Sequence, residues 1–487
     1  MSQTSTTSAP EPDAVAAGGW LLDGAHQRRV VDGIRALGIV LVVAFHAAFL
    51  TTKLLPREPL ERFIHGLPQV LNIVWQALGS EIVFLASGFL LSYILIREHL
   101  RYGSIDFGQF YVRRVSRIVP LFLLALAVYS IGRSLHPDRV LANLLFVSRA
   151  AGYFEIGSHA GRNYIPVGWS LEVMMQVFLA LPFVVWALLR SGRPLLVGIV
   201  LTIASVAPRY AALSGDVSSY TQPYYELVFG GSAPEIQKDL YYLTWYRLTP
   251  FLLGLVGAIL VTVHRDRVAA FLRSPARAGA VAALGVVLFF ASGSLPLHDP
   301  EGAVYAWFGP QAWHWFWTVQ RAVLGLSVLA LLLAVLHQER GFAGVLGRGL
   351  ALRLWQPISS GIYSIYLFHF ACLLPAALVV FSPSVLRTAL DTESFAPGAF
   401  DRKDFVARLG QNLDGVTLWH YLAMVVIAVW LSTKLASLLT RKLEAPSQAW
   451  LRRRFPGRKR TLVRSSVDRA TVPEGVCAQA RSSPNSN

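Results

Sequence analysis

The chain has 487 residues, of which 54% are hydrophobic and only 15% charged, with a mean hydropathy of +0.48. Soluble globular proteins carry about 25% charged residues, so this composition excludes a chain that covers itself with water-facing side chains. The 44 basic and 28 acidic residues leave a net charge of +16. No finger spacing or aromatic-basic box accompanies that charge, so the reading is a membrane protein with basic cytoplasmic loops and no nucleic-acid partner.

Residues 1–27 are rich in Ser, Thr, Ala and Pro and lack the apolar core of a signal peptide, which predicts a disordered cytoplasmic N-terminus. Apolar runs near the ~20 residues that cross a hydrocarbon core then follow. They predict about ten spans, at roughly 34–52, 71–96, 118–134, 167–190, 194–212, 243–263, 278–294, 314–336, 355–382 and 417–438. The segment 138–148 is apolar but too short to cross, which predicts an interfacial or re-entrant piece. Arginines crowd alternate connections: Arg28 and Arg29; Arg97, Arg101, Arg113, Arg114 and Arg117; Arg190 and Arg193; Arg265 to Arg277; and Arg340 to Arg353. This places both termini in the cytoplasm. The 133–166 connection departs from the rule, with several arginines on the predicted outer side. Residues 447–487 are polar and basic and read as a disordered cytoplasmic tail. The fold class is therefore an all-α polytopic integral membrane protein, with one membrane domain over 28–446.

Within the first span Arg35 and His46 are eleven residues apart, three helical turns to within about 20°, and so share one face about 16 Å apart along the axis. Ionisable residues at membrane depth are costly, which favours a functional pair over a boundary arginine and a chance histidine. Glu81 opens Glu81-Ile82-Val83-Phe84-Leu85-Ala86-Ser87-Gly88-Phe89 and is placed near the level of His46, where a carboxylate could orient the imidazole. Arg113, Arg114 and Arg117 make a guanidinium patch whose forks suit phosphates, whether of a ligand or of lipid headgroups. Trp169-Ser170-Leu171-Glu172 starts the fourth span, with Arg247 available as a counter-ion to Glu172 or as a boundary anchor. His369 again lies past the midplane. An extended ligand with an anionic head at the patch and a reactive end at His46 would bridge these groups, and the pantetheine arm of an acyl-coenzyme A has that shape. No His or Cys spacing matches a metal site.

At these residues the chain resembles the membrane acyltransferase-three family. The shared pattern is the basic residue, ten positions and His of Arg35 to His46, then Glu81 to Phe89, where Asp is common in place of Glu81. It continues with Arg114-x-x-Arg117 before Pro120, Trp169-Ser170-Leu171, the Tyr363–His369 run containing Tyr366, and Glu444-Ala445-Pro446. One departure stands out: the family's usual Glu after Trp-Ser-Leu-x-Val is Met174 here, and Glu172 lies about 200° around the helix from it. The resemblance implies a standalone O-acyltransferase of the bacterial cytoplasmic membrane. It would move an acyl group, most often acetyl, from cytoplasmic acyl-coenzyme A to a hydroxyl of a sugar-containing acceptor. No cofactor would be permanently bound. It implies His46 as base or acyl carrier with Glu81 beside it, and Arg35, Arg113, Arg114 and Arg117 on the donor phosphates. Trp169, Glu172, Arg247, Tyr366 and His369 would shape the acceptor side. The competing reading of the same buried His and Glu residues is a proton-coupled transporter.

Overall fold

The computed structural model describes residues 21–54, 74, 78–159, 161–215, 235–294, 303–380 and 417–455, and among these every regular element is a helix. In chain order they are α1 (Ala25–Leu54), α2 (Gly79–Tyr102), α3 (Phe107–Ser130), α4 (Pro137–Leu144), α5 (Ser148–Tyr153), α6 (Gly168–Arg190), α7 (Pro194–Ala204), α8 (Ala207–Ser214) and α9 (Glu235–Tyr242). The second half adds α10 (Leu248–Thr262), α11 (Arg265–Leu272), α12 (Pro275–Ser294), α13 (Ala303–His337), α14 (Gly341–Leu350), α15 (Trp355–Ser360), α16 (Ile362–Val380), α17 (Leu418–Leu439) and α18 (Ala445–Arg454).

Among the described residues, eight stretches are long and apolar enough to cross a membrane: α1, α2, α6, α7 with α8, α12, the His314–His337 part of α13, α16, and α17 continuing into α18. A ninth arises if α10 and α11, bent by 87° at their junction, act as one. The two expected spans that fall short have physical reasons. The span at 243–263 is realised as α10, whose 15 residues reach only about 22 Å. The span at 118–134 is the second half of α3, and Arg113, Arg114 and Arg117 on the first half keep that helix from being apolar throughout.

Two boundaries also move. A short 3-10 turn, Leu21–Asp23, precedes α1, and its Asp23 pairs with Arg97 of α2 at 2.8 Å, so part of the expected disordered N-terminus is folded onto the bundle. Residues 447–454 of the expected tail are helical, within α18. Residues 1–20 and 456–487, and most of the connections expected on the outer side (216–234, 295–302 and 381–416), lie outside the described residues.

The bundle is held at close range by glycines. A Cβ on Gly88 of α2 would collide with the Phe251 carbonyl of α10, and one on Gly254 would collide with that of Leu85, so the two backbones touch. Gly88→Ala is expected to prise α2 from α10 and lower the thermal midpoint in detergent, whereas Ser87→Ala, on a half-buried neighbour, is expected to leave it unchanged.

Three helices begin at one buried level. Gly79, at the start of α2, sits against the backbone of Gly38–Val42 in α1, and Gly38 sits against Ile82 and Val83. Near this level Phe84 meets Trp169 in the first turn of α6 (6.3 Å between rings), and Arg247, just before α10, lies 5.0 Å from the same indole. α2, α6 and α10 all run from here toward the arginine-rich end.

Beyond this level, α4, α5 and the loop to α6 form a folded cap. The 138–148 segment is the eight-residue α4 and the start of the six-residue α5, both too short to cross. The cap's arginines, which break the charge rule, serve backbone oxygens of the irregular loop. Arg133 donates to Tyr164 O, and Arg139 donates to the carbonyls of Arg162 and Asn163 while stacking on the Tyr164 ring at 3.8 Å.

Candidate active site

His46 is buried on α1, packed edge-on against Phe45 and beside Phe370 at 4.6 Å between centroids. Its Nδ1 lies 2.9 Å from His369 Nε2 on α16. Carbonyl oxygens only accept, and His369 Nδ1 faces two of them, Tyr366 O at 2.8 Å and Ile365 O at 3.2 Å. That nitrogen therefore carries the proton. With both rings neutral, His369 Nε2 is an acceptor and takes a hydrogen bond from His46 Nδ1–H. His46 Nε2 is left with a lone pair free for chemistry. Tyr421 OH donates to Ala44 O at 2.9 Å and Tyr129 OH to Leu367 O at 3.1 Å, which fixes the two histidine-bearing helices to α17 and α3.

One turn before His369, Tyr366 hydrogen-bonds Ser170, next to Trp169. Trp169 and Tyr241 pack on the Arg247 guanidinium, whose Nε donates to Tyr241 O. Arg247 and Arg321 both bond the same carboxylate oxygen of Glu81, and all three residues are at least nine-tenths buried. Glu81 lies in the first turn of α2, where the helix dipole favours a negative charge. This corrects two expectations. Glu81 does not orient His46: it lies beside the Gly38–Val42 turn, about 9 Å short of His46 along the axis, and His369 takes the orienting position. α2 begins at Gly79, already inside the bundle beside Gly38–Val42, so Glu81 in its first turn sits deeper than a count of residues from the outer surface implies. Arg247 is the counter-ion of Glu81, not of Glu172.

Glu172 instead braces the cap. Its Oε2 accepts the backbone N–H of Arg149 at 2.8 Å, at the start of α5, and the Arg149 guanidinium stacks on Tyr242 at 4.0 Å. Met174 is simply packed in the core.

Toward the basic end, Arg35 bonds Asp32 and Ser359, each at 3.3 Å, while Ser359 donates to the same Asp32 oxygen at 2.7 Å. Arg35, Arg113, Arg114 and Arg117 lie close enough to repel one another, so the structure brings together all four arginines of the expected patch. Arg117 is countered by Glu444 at 3.3 Å, presented by a π-helical turn, Thr440–Glu444, between α17 and α18. Arg114 Nε is buried with no hydrogen-bond partner among the described residues.

Two members of the site escaped the sequence reading. Arg321 was visible as the one charge within the apolar stretch 314–336. Glu444 was noticed for its motif, but its pairing with Arg117 over 327 positions has no local signal.

The polytopic helical bundle thus holds a buried imidazole pair and, toward one end, a guanidinium cluster, and comparison with known proteins gives the class of the chain. The acyltransferase-domain profile Acyl_transf_3 matches residues 28–437, and the chain belongs to that family. The O-acetyltransferase OatA of Staphylococcus aureus (strain NCTC 8325 / PS 47) is 24% identical over 182 residues, 34% of this chain and 26% of the relative. The peptidoglycan O-acetyltransferase OatA of Listeria monocytogenes is 24% identical over 169 residues, covering 31% of this chain and 23% of the relative. An uncharacterized Haemophilus influenzae protein is 24% identical over 193 residues, 37% of this chain and 73% of that protein. The matched stretches thus span about a quarter of the two OatA relatives. No solved structure matches significantly. Membership of an acyltransferase family favours catalysis over proton-coupled transport as the use of the buried histidines.

Proposed function

We propose that the protein moves an acetyl group from coenzyme A, held at the Arg35–Arg113–Arg114–Arg117 patch on the cytoplasmic face, to a hydroxyl of a sugar-containing acceptor. The acceptor enters from the opposite side of a bacterial cytoplasmic membrane, a surface or lipid-linked glycan or a glycosylated metabolite. The observation that carries this reading is the imidazole pair, which leaves His46 Nε2 as a base three turns from the guanidinium cluster. The O-acetyltransferase names of two relatives support acetyl as the group and a glycan as the acceptor.

In the reaction, His46 Nε2 takes the acceptor hydroxyl proton as the oxygen attacks the thioester carbonyl. The new C–O ester bond forms, the C–S bond breaks, and the electron pair leaves on the coenzyme A sulfur. The proton on His46 then passes to that thiolate or to water, restoring the neutral pair. His369 acts through His46, holding the tautomer that places the lone pair on Nε2. Arg114, whose buried Nε has no partner among the described residues, and Arg35 and Arg117 offer forked donors to phosphate, while Asp32 and Glu444 offset part of the patch's self-repulsion.

The test uses inside-out membrane vesicles with radiolabelled acetyl-coenzyme A and a membrane glycan fraction. Label entering that fraction only when the protein is present is the expected result. Absence of label, with coenzyme A release also absent, would sink the reading. Arg114→Ala should raise KM for acetyl-coenzyme A by about tenfold or more, the worth of one hydrogen bond to a charged group. His369→Ala should lower kcat by about 100-fold, the low end of a general base's contribution, with the donor KM unchanged. A rise in donor KM alone would instead place His369 in binding.

A further inference from the structure

Two groups of aromatic rings, joined through the short stretch 241–245, lie between the protein surface and the buried site. Tyr153 and Phe154, at the end of α5, are 46% and 61% exposed. Both touch the half-buried Trp245, edge-on at 5.4 Å for Tyr153 and tilted at 6.2 Å for Phe154. Just before Trp245, the adjacent rings of Tyr241 and Tyr242 flank Trp169, at 4.6 and 5.7 Å. Trp169 is 3% exposed and adjoins Ser170, which holds Tyr366 one turn from His369. Charged donors lie along the rings: Arg149 over Tyr242, and Arg247 over Trp169 and Tyr241.

We infer that this ladder is the binding track for the pyranose rings of the acceptor, with Trp245 and Tyr242 as its stacking platforms. The inference rests on the proposed function and adds to it the residues that recognise the sugar. Aromatic faces suit the apolar C–H faces of sugar rings, and Arg149, stacked on one face of Tyr242, carries N–H donors that suit ring hydroxyls. A membrane-interface belt is a different arrangement, in which amphipathic rings sit at headgroup level facing lipid. This protein has such a ring elsewhere: Trp419, in the first turn of α17, is 77% exposed, and Trp430 further along the same helix is 58% exposed. Trp245 differs from them in being half-buried and interlocked with the cap, and it follows within four residues Tyr241 and Tyr242, which pack on Trp169. The cap itself is built to hold the ladder's outer end, because Glu172 of α6 fixes the start of α5 through the Arg149 backbone.

The experiment measures saccharide binding to the full chain in lipid nanodiscs by saturation-transfer NMR, with chitotetraose, cellotetraose and maltotetraose as probes. It is run on wild type, Trp245→Ala, Trp245→Phe, Tyr242→Ala and the lipid-facing control Trp430→Ala. At least one tetrasaccharide should bind wild type. Its Kd should rise about tenfold in Trp245→Ala and in Tyr242→Ala, the loss of one aromatic contact, and return toward wild type in Trp245→Phe. Trp430→Ala should bind as wild type does. Binding that is equal in wild type, Trp245→Ala and Tyr242→Ala overturns the track while leaving the sugar reading intact. Equal loss of thermal stability in Trp245→Ala and Trp430→Ala, with Kd unmoved, would identify Trp245 as a membrane anchor and likewise overturn it. If no saccharide binds wild type, the sugar reading falls, and the track with it.

Discussion

Replacing His46 with alanine is expected to lower acetyl transfer by about 100- to 10,000-fold, the usual contribution of a positioned general base, at matched protein level. The ring is buried against Phe370 and His369, so its removal also leaves a cavity and an unpaired His369 Nε2. His46→Gln, which keeps volume and polarity without a base of comparable strength, separates the two effects. It should be as inactive as the alanine variant while melting close to wild type. Turnover in His46→Gln within a few-fold of wild type would show that another group removes the hydroxyl proton. The measurement is label transferred from acetyl-coenzyme A per mole of folded protein, alongside a melting curve.

Glu81→Gln is expected to cost about 3–5 kcal/mol of stability, the penalty for breaking a buried ion pair by removing one partner. That is a large part of the roughly 5–15 kcal/mol that holds an ordinary domain folded. Here the penalty falls on two guanidiniums, Arg247 and Arg321, which would face each other across a neutral amide inside the bundle. The expected result is low yield and early unfolding in detergent. Glu81→Asp, which keeps the charge on a shorter arm, should recover part of the loss. Removing one cation as well, in Glu81→Gln with Arg321→Gln, should recover more than Glu81→Gln alone. A Glu81→Gln protein as stable as wild type would show that the carboxylate is not what holds the arginines.

Much of this was legible in the sequence because helical periodicity acts over short distances. The eleven-residue interval from Arg35 to His46 fixed their shared face, and the arginine spacing on α3 fixed the patch. The error at Glu81 came from the helix start. Hydropathy reports which residues avoid water, not where the first helical turn forms, so a span drawn from 71 placed Glu81 too close to His46. The Arg247 partner was misread for the same reason, since its depth depends on where α10 begins. Arg321 and Glu444 lie hundreds of residues from their partners, and their roles depend on the packing of α13 and of the π-turn rather than on any nearby pattern. The arginines of the 133–166 connection misled in another way. The charge rule counts cations as though all face water, and these are spent on the cap's own carbonyls and ring faces.

The common starting level of α2, α6 and α10 bears on the electric field in the protein. A transmembrane voltage falls mainly across low-dielectric material, and polar groups gathered part-way through the bundle shorten that material. Moving a unit charge through the whole drop is worth about 2.3 kcal/mol per 100 mV. A proton that leaves His46 toward the cap, while its negative counterpart leaves on a thiolate toward the arginines, separates charge along that axis. Turnover by that route would depend on membrane potential, because a proton is released on one side and the thiolate takes one up on the other, whereas a proton handed directly to the thiolate would leave turnover independent of it.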